Sequence, residues 1–242
     1  AKLCVEGNRM MDQLSEELDF RFQRCGKVLV GNTDEDMETL KRTLKQGEAN
    51  GARGLVIIDK EKLHELVPAV VGEFAMFSPY SGILDPFNYT IALAENAHDN
   101  GVDYYLDHEV TAIGRDGEGV YHLTTSQGTF SARWVVNSAG LGCGKISDML
   151  GIKGYKVIGS KGDYIILDKR TGPLLPMPVY PGPSNTYMGI HVTNTTDGNV
   201  IIGPNAETVT DFAYYGVPQE NMDYLADSAS DLWPCIHKSD YI

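Results

Sequence analysis

The sequence predicts a mixed α/β fold, an α+β mix in which an antiparallel sheet with helices is interleaved with a more parallel α/β segment. Three observations predict it. Helical and strand periodicities alternate through residues 20–106. A run of strand patterns broken by Asp116-Gly117 and Gln127-Gly128 then follows with no helix between them. Strand patterns return at 155–202, after the α/β segment has closed. A chain that leaves one sheet and later comes back to it has this interleaved organisation.

The elements justify themselves in order. Residues 2–19 place Leu3, Met10, Met11, Leu14 and Leu18 at helical spacing, which predicts a packed helix. Residues 20–30 alternate like a strand pair bent at Gly26. From Asp34 to Asn50, Met37, Leu40 and Leu44 form an apolar stripe with acids leading, bases following and Asn50-Gly51 as the stop. Gly54 to Ile58 reads as a short buried strand, and Asp59 as the cap of a helix that ends before Pro68. Residues 74–84 are extended. Asp85 is a good N-cap and Pro86 a good first helical residue, so a helix runs to Asn100-Gly101. Val102 to Leu106 then reads as a strand, giving half of a parallel α/β unit. Residues 109–130 are a β-meander.

Residues 132–147 set a buried-type strand (Trp134, Val135, Val136) against a turn of small residues, Ser138 to Gly144, and a helix near Lys145. Small residues let a backbone approach another surface closely, and a helix start offers free N–H groups, so the turn suits a nucleotide or flavin. Gly140, Gly142 and Gly144 do not have the dinucleotide spacing, and Ile146 follows Lys145 where a phosphate loop needs Ser or Thr. Beyond Gly151, residues 155–167 read as one long strand broken at 159–162. The proline-rich run 173–183 reads as an extended edge or loop. Residues 187–192 and 199–202 form a hairpin across Thr196-Asp197-Gly198, and the last thirty residues are loop and helix.

Bulk properties bound the function. The chain has 242 residues, 42% hydrophobic and 22% charged, as in ordinary globular proteins, and no apolar run long enough for a transmembrane segment. A net charge of −13 argues against nucleic acid or an anionic membrane as partner, though a small anionic substrate needs only one or two local cations. Cys4, Cys25, Cys143 and Cys235 are scattered, so no metal site is expected and the thiols suggest the cytoplasm. The chain opens inside a helical pattern without Met, and a fragment of a longer protein is expected.

Four runs occur in one order: Ser78-Pro79-Tyr80-Ser81-Gly82-Ile83-Leu84-Asp85, then Trp134 to Leu141, then Lys161-Gly162-Asp163-Tyr164, then Gly189 to Thr193 with Asp197 to Ala206. In this order the chain resembles the flavin-dependent oxidoreductases of the D-amino-acid-oxidase type. The branch it resembles contains L-2-hydroxyglutarate dehydrogenase and the FAD-linked glycerol-3-phosphate dehydrogenases. The family's N-terminal G-x-G-x-x-G unit and its C-terminal flavin-closing segment are not in this sequence. The resemblance implies a substrate-binding domain at 20–82 and 153–212 and a partial FAD-binding domain at 1–19, 83–152 and 213–242. It implies FAD as the cofactor of the full-length protein, weak FAD binding by this piece and an inactive isolated fragment.

The resemblance also implies site residues. Val110 lies on the strand whose main chain meets the adenine, and Ser138, Ala139 and Gly140 pass the flavin's phosphate–ribose side; the alternative is a plain tight turn. His191 faces opposite to Ile190 and Val192 and is the candidate catalytic base, against a purely structural histidine. Lys161 holds a substrate carboxylate or phosphate, or is a solvated turn lysine. Tyr164, Tyr80, Ser81 and Thr193 are candidate substrate contacts, with core or loop roles as alternatives. The expected activity is oxidation of a small anionic hydroxy compound, glycerol 3-phosphate or an L-2-hydroxy acid, by hydride transfer to FAD. The electron acceptor is unspecified and peripheral membrane association of the full-length protein stays open. The other reading is a non-catalytic binding or interaction module lacking the flavin half.

Overall fold

The computed structural model describes residues 2–154, 156–182 and 189–242. In chain order, α1 (Lys2–Leu18) leads to β1 (Phe22–Gln23), β2 (Lys27–Gly31), α2 (Asp34–Ala49), β3 (Val56–Asp59), α3 (Lys60–Leu66) and β4 (Phe74–Ser78). Then come β5 (Ile83–Leu84), α4 (Pro86–Asp99) and the meander β6 (Val110–Arg115), β7 (Tyr121–Thr125), β8 (Thr129–Ala132). A 3₁₀ turn at Gly140–Gly142 opens α5 (Cys143–Met149). The chain ends with β9 (Gly159–Lys161), β10 (Ile165–Leu167), β11 (Val179–Pro181), β12 (His191–Asn194), β13 (Val200–Gly203), β14 (Glu207–Val209) and α6 (Gln219–Ser230).

The helix starts are set by side chains that satisfy otherwise orphaned N–H groups. Thr33 Oγ1 accepts from the Asp36 amide at 3.2 Å, and Asp36 accepts in return from the Thr33 and Asn32 amides at 3.0 and 2.9 Å. Burial works against the charge on Asp36, but these bonds outweigh it and hold the carboxyl below its ordinary range. Asp59 accepts from the Lys62 amide, and Asp85 accepts from the Phe87 and Asn88 amides.

The main sheet has the order β10-β13-β12-β11-β2-β4-β3. All its pairs are antiparallel except β11 with β2, where Val179, Tyr180 and Pro181 face Val28, Leu29 and Val30. Register therefore lines up Val28, Val179, Val192, Ile202 and Ile165 across the strands, and all five are buried. On that face α6 and the segment after it bury Leu225, Ala229, Leu232 and Trp233 in the same core. Each large side chain buried in this way contributes roughly 1.5–3 kcal/mol. On the opposite face α2 covers the β2-β4-β3 end, where Leu40 packs on Leu29 and Met76. At the β10 edge, Tyr241 bridges to Leu167, the Ile242 amide donates to Ile166 O at 3.1 Å, and Arg170 Nε donates to Asp240 at 2.7 Å.

The chain divides into two compact units. One comprises Ala1–Ala97, Gly162–Ala206 and Gly216–Ile242 and holds the main sheet. The other comprises His98–Lys161 and Glu207–Tyr215 and holds the meander, α5 and the β9–β14 ribbon. In the meander, His122 sits between Asp116 (2.8 Å) and Ser131 Oγ (3.0 Å), fastening the hairpins.

Several local expectations are corrected. Residues 102–106 and 134–136 form no ladder, and Trp134 and Val136 are 87% and 85% exposed, so the parallel segment is not built. A strand needs a neighbour for its N–H and C=O groups, and no described segment pairs with either. Residues 155–167 are not one strand: the chain breaks into β9 and β10, which pair in different sheets, and Tyr155 lies outside the described residues. The proline run is turn and loop as far as Pro178, but it is not an edge: β11 is interior, with Pro181 as its last residue, and Pro178 O accepts from the Val28 amide at 3.1 Å. Residues 183–188, including the start of the expected 187–192 strand, lie outside the described residues. β1 and β2 do not pair with each other; β1 pairs with β5. β3 is an edge strand with Val56 exposed, and α1 has no buried residue despite its apolar spacing.

Thr33→Ala is expected to cost about 1 kcal/mol of stability at neutral pH, the ordinary worth of an N-cap. Asp36 has a depressed folded-state pKa, so its own contribution is present above the unfolded carboxylate value and lost as pH falls through the folded one. Denaturant unfolding of Asp36→Asn and wild type should therefore differ near neutrality and converge in acid.

Candidate active site

The face of the main sheet opposite the core is the place to look, because strand alternation puts the polar candidates there. His191 and Thr193 alternate with buried Val192 on β12. On the neighbouring strand Tyr180 alternates with buried Val179, and its ring lies parallel to the His191 imidazole, with centroids 3.6 Å apart and planes within 6°. Thr193 is close enough to the Tyr180 phenol to act on it. On β2, Lys27 Nζ lies 4.6 Å from the centroid of the same ring. Burial pushes the Lys27 ammonium down and the Tyr180 phenol up; the charge of Tyr164 acts on Tyr180 in the same direction, and Thr193 opposes it. The residues thus form one cluster across β2, β11 and β12.

Tyr164, half-exposed just before β10, joins the cluster through Gly203. His191 is paired with Gly203 across the β12–β13 ladder. A Cβ on Gly203 would stand 2.9 Å from the Tyr164 ring and 2.6 Å from Asp163 O, and φ is +132° there. Only glycine lets the tyrosine ring lie across the strand at that point. Asp163, 2% exposed, anchors this corner. Its amide donates to Asn205 Oδ1 at 2.7 Å, and its carboxylate accepts from Asn221 Nδ2 at 2.7 Å.

Other candidates are placed elsewhere. Tyr80 and Ser81 lie in the loop between β4 and β5 and line a cavity with residues of α1. Lys161 belongs to the smaller unit: it ends β9, faces Glu207 in β14, and its Nζ lies 5.2 Å from the Tyr214 ring centroid. In that unit too, Val110 opens β6 opposite Thr125. Ser138, Ala139 and Gly140 are exposed, and a Cβ on Gly140 (φ +53°) meets no atom within 4 Å. The turn is held by Asn137, whose Nδ2 donates to Cys143 O (2.9 Å) and Ser147 Oγ (3.2 Å) and whose Oδ1 accepts from the Ala139 amide (3.3 Å). α5 packs against β6. A cavity of about 540 Å³ opens beside the turn, lined by Leu141, Gly142, Lys145, Ser147 and Phe212, not by Ser138 to Gly140.

Tyr180, Lys27, Asp163, Gly203 and Asn137 escaped the sequence reading. Tyr180 was hidden by the proline run and Lys27 by its distance in sequence from His191. Asp163, Gly203 and Asn137 stood inside the recognised runs without a reason to single them out.

Comparison with known proteins decides the family. The family described as FAD dependent oxidoreductase (DAO) matches residues 1–241. The chain belongs to this family. A glycerol 3-phosphate dehydrogenase of Caloramator mitchellensis is 36% identical over 230 residues, covering 94% of this chain and 48% of that protein. A mitochondrial L-2-hydroxyglutarate dehydrogenase of Nematostella vectensis is 29% identical over 244 residues, covering 94% of this chain and 54% of that protein. The chain thus spans about half the length of these curated relatives. The dithionite-reduced L-α-glycerophosphate oxidase of Mycoplasma pneumoniae, with FAD bound, superposes with a TM-score of 0.88 at 20% identity, over 98% of this chain and 64% of that one. That likeness is one of fold. The mixed α/β fold predicted from the sequence is the fold of this flavoenzyme family. No helix among the described residues is long and apolar enough to cross a membrane.

Two substitutions check the geometry. Gly203→Ala should push the Tyr164 ring off the sheet and cost on the order of 1–3 kcal/mol, read by thermal unfolding and by the Tyr164 ring shifts in NMR. Asn137→Ala should cost about 1–3 kcal/mol, because the Ser147 hydroxyl loses a partner in a buried setting; faster hydrogen exchange at the Ala139 amide would report the loosened turn.

Proposed function

We propose that the whole protein of which this chain is part oxidises a small anionic hydroxy compound, with glycerol 3-phosphate placed ahead of L-2-hydroxyglutarate. The carrying observation is the His191–Tyr180 stack beside Thr193 and Tyr164, at the margin of the α2-covered cluster against which Tyr180 packs. The relative named for glycerol 3-phosphate is the more similar of the two, 36% against 29% identical, which orders the substrates.

In this reading the sheet face at 20–82 and 153–212 binds substrate, and 1–19, 83–152 and 213–242 belong to the flavin side. Val110, Ser138, Ala139 and Gly140 are the residues that would meet FAD. The open backbone at Gly140 fits the close approach of such a group, and Asn137 keeps it in place. When bound, FAD supplies the acceptor for a hydride from the substrate carbon. Everything else is work for side chains. His191 takes the hydroxyl proton on a ring nitrogen as the carbon–oxygen single bond becomes a carbonyl. Tyr180 fixes the plane of that imidazole by stacking, and Thr193 stands beside the Tyr180 phenol. Tyr164 offers a hydroxyl to the substrate. Lys161 and the half-buried Lys27 favour an anionic compound, and Tyr80 and Ser81 are polar contacts from the loop ahead of α4. The four cysteines are free thiols, which suits a cytoplasmic protein.

In the full-length, FAD-loaded protein, His191→Ala should slow flavin bleaching by substrate about 10²–10⁴-fold while FAD content is unchanged. An unchanged rate removes His191 from the mechanism. A panel of glycerol 3-phosphate and L-2-hydroxyglutarate, followed by the same bleaching, decides the substrate.

A further inference from the structure

We propose that the cavity between α1, the turn after α2 and the β4–β5 loop binds a small oxyanion, a phosphate or a carboxylate, through Arg9 and Arg53. The cavity has a volume of about 170 Å³, room for more than one water-sized group. Its polar walls are Asn8 and Arg9 from α1, Arg53 from the turn, and Ser78, Tyr80 and Ser81 from the loop.

The chain carries 33 acidic against 20 basic residues, and two of its arginines, Arg9 and Arg53, bring their charge to one cavity wall. Arg21, Arg24 and Arg170 each sit on an aspartate. Arg9 and Arg53 have no such partner among the described residues. Arg9 Nη2 gives one hydrogen bond to Gly51 O at 3.1 Å, and the Arg53 guanidinium lies 4.5 Å from the Tyr80 ring centroid. Asp12 is within electrostatic reach of Arg53, but Arg24 already holds it, and that hydrogen bond is the chief cause of its lowered pKa. A guanidinium has five N–H donors, so most of the donors of both arginines remain for a ligand. A planar fork of this kind matches carboxylate and phosphate oxygens.

The cavity is preorganised. The walls are fixed by bonds that do not consume these arginines. Arg24 donates to Asn8 Oδ1 and to Tyr80 O, and Asn8 Nδ2 donates to Tyr80 O at 2.9 Å, so α1 is tied to the loop. Ser81 Oγ donates to Ser78 Oγ at 3.0 Å, which leaves the Ser78 hydroxyl proton for a ligand oxygen. Two guanidinium forks and a hydroxyl on a braced wall suit an oxyanion and reject a cation.

The inference deepens the assignment of Tyr80 and Ser81 to the substrate side, and its test reads binding alone, so it can fail without His191 failing. Inorganic phosphate and, separately, acetate are titrated calorimetrically into the full-length, FAD-loaded protein at constant ionic strength set with chloride. Saturable binding of either is expected in wild type and in His191→Ala. It should weaken about tenfold or more in Arg9→Gln and Arg53→Gln and recover in part in Arg53→Lys. Phosphate alone would point to a phosphate ester, and both to a general oxyanion site. Absence of saturable binding, or equal binding in the two Gln variants with circular dichroism and FAD content intact, overturns the proposal. Should a Gln variant not fold, Ser78→Ala supplies the same comparison.

Discussion

The parallel pairing of β2 with β11 is the contact on which the rest of the larger unit depends. It joins strands that are about 150 residues apart in sequence. On one side of this seam lie β4 and β3, from the first third of the chain. On the other lie β12, β13 and β10, from the last third. Without it the early strands and the late hairpin would be two small sheets, each with half a core. With it, Val28 and Val179 become neighbours inside one layer, and α6 can seal both with Leu225 and Trp233. The same seam puts Lys27 beside Tyr180, so the cluster around His191 is a product of the pairing.

How much was legible follows from the range of each determinant. Local chemistry could be read directly. Thr33 with Asp36, Asp59, and Asp85 with Pro86 all cap helices within a few residues of where they stand, and the meander turns lie at their glycine signals. Long-range pairing could not. Val56 and its neighbours look like a buried strand, but burial depends on having a partner on both sides, and β3 has one. The prolines around β11 look like a surface loop because proline lacks a donor. Only the position of β2 shows that Val179, Tyr180 and Pro181 suffice for an interior strand. Trp134 and Val136 carry every local mark of a buried strand and are exposed, since no described segment offers them a ladder.

The site divides in the same way. His191 and Thr193 could be placed on one face of a strand from alternation alone, and the resemblance gave that face a role. What the imidazole rests on could not be read. Tyr180 lies eleven residues upstream in a proline-rich run, and the parallel stack exists only because two strands lie side by side. Gly203 shows the complementary case. It stood in a recognised run as one more glycine, while the need for it arises from the Tyr164 ring, just ahead of β10.

The two margins of the main sheet are unlike. At β10 the backbone is already engaged: Tyr241 bridges to Leu167, Ile242 donates to Ile166 O, and Arg170 with Asp240 holds that segment down. At β3 the outer row of donors and acceptors has no strand against it among the described residues. Edge strands are templates for further pairing. Growth by strand addition is therefore directional in this molecule: one rim is hemmed by its own chain, and the other is the rim at which a foreign strand, or a second molecule during misassembly, would add.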